Sequence, residues 1–102
     1  MAHRTLRCHR VRFYSHGDEA AFFAFAQSIA GVLRVYGEKD AILIDTAFLL
    51  LEDSLRDVLA LFWRYQINDM TQLSAFLTSA NEGWFAAPLN YWHQQVFGAG
   101  RA

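Results

Sequence analysis

Four places in this 102-residue chain hold side chains whose types and spacing could do chemistry. The first is His93, set among the aromatics of Trp84-Phe85-Ala86-Ala87-Pro88-Leu89-Asn90-Tyr91-Trp92-His93-Gln94-Gln95-Val96-Phe97-Gly98. A lone histidine on an apolar face is usually a hydrogen-bonded core group. The alternative is a pocket histidine, lined by Trp63, Trp84 and Trp92 and partnered by Asp45 or Tyr65. The second place is His16-Gly17-Asp18-Glu19. An imidazole beside two carboxylates can act as a general acid/base pair, yet helix capping accounts for every residue there except His16. The third is Cys8-His9, with His3 and His16. Zinc sites want four ligands at recognisable spacings, and one cysteine with no His-x-x-x-His pair does not supply them. A reactive Cys8 thiolate would need an electropositive, partly exposed pocket. The nearby arginines could provide the field, but no Cys-His-Asn order follows. The fourth is the arginine series Arg4, Arg7, Arg10 and Arg12, in a stretch without acids.

No Gly-rich phosphate loop, Gly-x-Ser-x-Gly elbow or His-Glu-x-x-His occurs, and Asp40, Asp45, Glu52 and Asp53 lack calcium-loop spacing. The reading therefore assigns no catalytic residue, no metal ligand and no cofactor, and the chain is not read as an enzyme.

The net charge of −1 conceals an asymmetry. Beyond residue 12 the chain carries five basic and ten acidic residues. A basic arm on an acidic body invites a nucleic-acid reading through the arginine strand and Tyr14. The simpler account is the solvent side of an edge strand, where charge discourages edge-to-edge pairing. Apolar residues reach 54%, above the usual ~45–50%. One domain spanning 1–102, with the arm 1–5 and tail 99–102 frayed, runs out of interior for so many apolar groups. Some must form a partner surface. Cys8 has no disulfide partner, and neither a signal peptide nor an 18-residue apolar run is present. A cytoplasmic bacterial protein, not a membrane protein, is expected.

The elements that would position these groups follow from periodicity. Leu6 to Tyr14 reads as a strand, although Leu6 and Cys8 have the opposite parity from Val11 and Phe13. A bulge near His9, or a second covered surface, would reconcile them. Ser15 and Asp18 start a helix that runs to about Ala30 and buries Phe22, Phe25, Ala26 and Ile29. Phe23 lies off that stripe and is expected to be exposed. Val32–Tyr36 and Asp40–Thr46 form a hairpin, and the second strand is apolar on both faces, as a central strand is. Phe48, Leu49, Leu50 and Leu51 make an apolar run where a connector belongs. A helix from Glu52 to about Gln66 carries a wide apolar arc including Trp63 and Tyr65. A short helical piece follows Asp69. Pro88 and Gly98 bracket a last helix of about ten residues, with Leu89, Trp92, His93, Val96 and Phe97 on its buried side. The expected architecture is α+β, β-α-β-β-α-(α)-α. Its three-stranded antiparallel sheet has order 1-3-2, with helices on one face.

Phe13-Tyr14-Ser15, Asp18-Glu19, Leu59-Ala60-Leu61-Phe62 with Arg64-Tyr65, Asp69-Met70-Thr71-Gln72-Leu73 and the Trp84–Gly98 pattern together resemble an uncharacterised family of small bacterial proteins. The resemblance spans residues 10–98 and implies a stand-alone bacterial domain, with no activity attached to it. The function expected from the residues is protein interaction. The chain would self-associate as a homodimer or other homo-oligomer, or bind another protein, through Phe23, Phe48, Leu49, Leu50 and Trp63. The alternatives are nucleic-acid binding by the arginine strand, and a small ligand held in an aromatic pocket by His93, Trp84 and Trp92.

Overall fold

The computed structural model describes residues 2–98. Strand β1 (His3–His9), helix α1 (His16–Ser28) and strands β2 (Val32–Glu38) and β3 (Ala41–Ala47) come first, then helix α2 (Glu52–Arg64). A 3-10 helix (Met70–Phe76), a single turn α3 (Glu82–Phe85) and a π-helical turn (Gln94–Gly98) complete the chain. The fold is α+β, and its three-stranded antiparallel sheet has the order β1-β3-β2. No helix among the described residues is long and apolar enough to cross a membrane.

Alternation sorts the sheet into two faces. Leu6, Cys8, Ile44 and Val35 lie with α1, α2 and the C-terminal turns around one hydrophobic core. Thr5, Arg7, Arg34, Tyr36 and Glu38 fall on the other face, in register with Asp45, Leu43 and Ala41. Leu43 is buried there by its cross-strand neighbours Arg7 and Tyr36. The central position of β3 thus explains why its sequence is apolar on both sides.

Strand β1 begins and ends earlier than the sequence suggests. His3, Arg4 and Thr5, which the sequence leaves in the arm, are in register with Ala47, Thr46 and Asp45. At the other end Arg10 takes a left-handed conformation (φ 54°), and its N–H donates to the Asp40 carbonyl at 3.0 Å. That reversal ends the strand and turns Val11 and Phe13 back against the core, which settles the parity conflict. The border of β1 that faces away from β3 meets Gln72. Its side-chain amide accepts from Arg7 N–H and donates to the Arg7 carbonyl, both at 2.8 Å.

Ser15 caps α1 by accepting from Asp18 N–H at 3.1 Å, and Asp18 Oδ2 accepts from Tyr14 N–H at 3.0 Å. The helix stops at Ser28. Gly31 follows at φ 92°, a conformation that favours glycine, and the Leu50 methyl packs where a Cβ would stand, 2.7 Å away. Helix α2 ends in a Schellman turn. Gln66 N–H donates to Trp63 O and Ile67 N–H to Phe62 O, with Gln66 left-handed at φ 54°. A side chain in that conformation costs roughly 1–2 kcal/mol. Gln66→Gly is therefore expected to stabilise the fold by about 1 kcal/mol, read as a higher urea midpoint at unchanged slope.

The expected helix from Pro88 to Phe97 is not formed. The chain turns tightly through residues 86–93 and only then enters the π-helical turn. The Trp92 indole N–H donates to Phe85 O at 2.8 Å, and the Asn90 side-chain amide donates to Trp84 O. Both bonds fold the segment back over α3, which a continuous helix could not do. Leu89, expected to face the core, is 99% exposed as a result. The tail 99–102 lies outside the described residues.

Candidate functional site

Two surface regions gather groups that could bind something. The first grows from the connector after β3. Phe48, Leu49 and Leu51 are 47%, 58% and 83% exposed. Leu50 alone of this run turns inward, against Gly31 and the core. The run lies open because Ala47 N–H donates to Gly31 O while Arg4 Nε donates to Phe48 O, which fixes the strand end and spreads the connector over the surface. The Arg4 guanidinium sits 4.0 Å above the Phe48 ring. Beside the leucines is a groove of about 320 Å³, lined by Leu49, Leu50, Leu51, Phe76, Asn81 and Trp84 among others. Glu52 and Arg56, paired at 2.8 Å, stand at its edge, and the Arg56 guanidinium covers the Trp84 ring at 4.3 Å.

The remaining residues expected at a partner surface or pocket are scattered. Phe23, expected to be exposed, is half-buried, packed against the core with its ring edge-on to Phe22. Trp63 is exposed, its ring edge-on to Tyr91 at 5.1 Å, and it borders a separate cleft with Phe62, Met70 and Gln95. Trp92 is buried against Phe85 and Trp84. His93 is half-buried beside the Phe97 ring, and its side chain makes no hydrogen bond among the described residues. Neither acid nor phenol named as its partner reaches it. Asp45 accepts from Thr5 Oγ1 and faces Arg34 at 3.6 Å, whereas Tyr65 packs edge-on to Phe22 and Phe13. Trp63 and Trp84 thus border two different clefts.

The second region is a polar cleft of about 380 Å³ that the sequence alone does not assemble. Arg10, Arg12 and Tyr14 come from the connector before α1, and Asp18 from its first turn. Arg64, Tyr65, Gln66 and Asn68 come from the end of α2 and the turn beyond it. Three arginines and one aspartate thus line the cleft, and the aspartate accepts from Tyr14 N–H. Arg10 approaches Asp40 only at 3.6 Å, with both side chains largely in solvent. Among the described residues Arg12 and Arg64 form no ion pair. Part of this was visible in the sequence, where Arg10, Arg12 and Tyr14 suggested a basic surface. Arg64 gave no such signal, because a lone arginine in the last turn of a helix usually just complements the helix dipole.

The groups considered for metal or thiol chemistry do not converge. Cys8 points into the core, while His9 beside it projects from the other face of β1. Burial pushes the Cys8 thiol up to about 12, far from the range of a reactive thiolate. His16 is exposed at the start of α1, and Asp18 beside it is held by its capping bond. Compared with family models, with curated proteins and with solved structures, the chain matches none of them.

Proposed function

We propose that this chain is a protein-interaction module that self-associates through the face built by Phe48, Leu49 and Leu51. The observation that carries the proposal is the exposure of that run beside an apolar groove. A lone leucine in water needs no explanation, but two exposed leucines and Phe48 in one run, beside a half-covered Trp84, are what a partner buries. A two-fold interface must be self-complementary. This face offers both halves of such a contact, with projecting Leu51 and Leu49 next to a concavity of leucine, phenylalanine and tryptophan. The rim carries Arg4, Glu52 and Arg56, charges of both signs, so two copies can meet without like-charge repulsion. We further propose a cytoplasmic location, to which a single unpaired thiol is suited. We also propose membership of the small bacterial family whose Trp84–Gly98 pattern the chain resembles. Its Trp84, Phe85, Trp92 and Phe97 pack on one another here.

Sedimentation at micromolar concentration tests the association. The wild-type chain is expected to sediment as a dimer. The double variant Leu49→Asp, Leu51→Asp is expected to sediment as a monomer with an unchanged fold, because neither side chain supports the core. Loss of two leucine burials, about 1.5–3 kcal/mol each, weakens the dimer by at least about 100-fold. A wild-type chain that stays monomeric across this range overturns the proposal and leaves the face to a different protein.

A further inference from the structure

We infer that the cleft between the connector before α1 and the end of α2 binds a nucleotide phosphate, with guanidinium groups on the phosphate and the Tyr14 ring on the base. This inference is independent of self-association and concerns a different surface. Arg10, Arg12 and Arg64 line one concavity of about 380 Å³, a size that suits a small-molecule site. Asp18 is the one acid in this lining, and Arg10 leans out of it toward Asp40 at 3.6 Å, so the cleft walls carry a net positive charge. Nothing else among the described residues neutralises Arg12 or Arg64. An anion of more than one charge is what such a cluster lacks. Guanidinium groups match phosphate better than other anions, since their planar forks bond two oxygens at once.

The cleft also contains aromatic surface of two kinds. Tyr65 is fixed, its ring edge-on to Phe22 at 5.0 Å and to Phe13 at 6.1 Å. Tyr14 is 82% exposed and makes no ring contact with another aromatic among the described residues. A free phenol ring at the mouth of a basic cleft is the arrangement on which bases stack. Gln66 and Asn68 add uncharged donors and acceptors for a sugar or a base edge.

The phosphate and base could belong to a free mononucleotide or to a single strand of nucleic acid, and titrations of the full chain separate the two. The probes are adenosine 5′-monophosphate, inorganic phosphate and a ten-nucleotide oligothymidylate, each titrated at low salt and followed by NMR shifts. The nucleotide is expected to bind more tightly than inorganic phosphate. Arg12→Gln and Arg64→Gln should each weaken it about tenfold or more, since a hydrogen bond to a charged group contributes roughly 1.5–3 kcal/mol. Arg7→Gln removes the same charge on the outer sheet face and should leave binding unchanged. Tyr14→Ala should weaken nucleotide binding but not phosphate binding. If the source is a single strand, the oligonucleotide binds more tightly than the mononucleotide, its affinity falls steeply with salt, and the same arginine variants weaken it. The inference is overturned if neither nucleotide nor oligonucleotide binds. It is equally overturned if Arg7→Gln weakens binding as much as Arg64→Gln, or if phosphate binds as tightly as the nucleotide. All four substitutions are at exposed positions, and circular dichroism of each variant verifies that the fold is intact.

Discussion

Phe85→Ala is expected to remove about 3–5 kcal/mol of stability, the usual loss when a buried phenylalanine is truncated. Phe85 is fully buried although it belongs to a helix of only four residues. So short a helix has almost no stability of its own. The ring holds α3 in place, packing on Phe97 at 4.9 Å and on Trp84 and Trp92 at 5.7 and 6.4 Å. The Phe85 carbonyl also takes the Trp92 indole N–H. Without the ring, the segment that replaces the expected last helix loses its anchor, and Trp92 is exposed with it. Small domains commonly have only ~5–15 kcal/mol in total, and each kcal/mol shifts the midpoint by roughly 4–8 °C in a chain of this size. A fall in Tm of more than about 12 °C is expected, together with loss of the near-ultraviolet tryptophan signal. Phe85→Leu should lose far less. A Phe85→Ala protein within 1 kcal/mol of wild type, on the scale of surface substitutions, would mean that the C-terminal turns do not share the core's stability.

Alkaline pH should destabilise the protein through Cys8. The thiol is fully buried on the inner face of β1, and burial raises its pKa from 9.0 to about 12. In the unfolded chain the thiol ionises near 9.0, while in the folded chain it stays protonated until about 12. Within that window the unfolded state binds fewer protons, so stability falls as pH rises. The contribution is fully present below the unfolded value and is lost on the way to the folded one. Three pH units correspond to about 4 kcal/mol, at 1.36 kcal/mol per unit. Burial also raises Tyr91, against the opposing effect of Arg56, and this acts in the same direction. Cys8→Ala isolates the thiol. Its stability should decline less between pH 9 and 12 than that of the wild type, as measured by urea midpoints. At pH 8 a thiol reagent should modify native Cys8 only as fast as the chain opens. Rapid modification without unfolding would show that the inner face of β1 is reachable from solvent.

The order of the sheet was legible because two patterns agree. A helix between the first two strands makes them parallel, and a third strand apolar on both faces has to lie between them. The end of β1 was not legible. Nothing in Arg10 marks it for a left-handed turn; that conformation goes with its bond to Asp40 in the turn between β2 and β3. The last helix failed for a related reason. The angular spacing of Leu89, Trp92 and Val96 fits a helix, but an indole reaching back seven residues to Phe85 decides the path. The apolar connector at 48–51 was legible as a surplus, although its inward-turning Leu50 follows from the space above Gly31. The basic cleft was half legible. The arginines before α1 stand out in the sequence, whereas Arg64 joins them only because the end of α2 is brought beside that connector.

The Gln72 amide that meets Arg7 acts as a guard on the outer edge of β1. One glutamine side chain bonds both polar backbone groups that Arg7 turns away from β3, the pair a further strand would claim at that position. An extended chain settling along this edge would first have to displace the amide, so the middle of β1 is shielded against edge-to-edge pairing without a proline or a bulge.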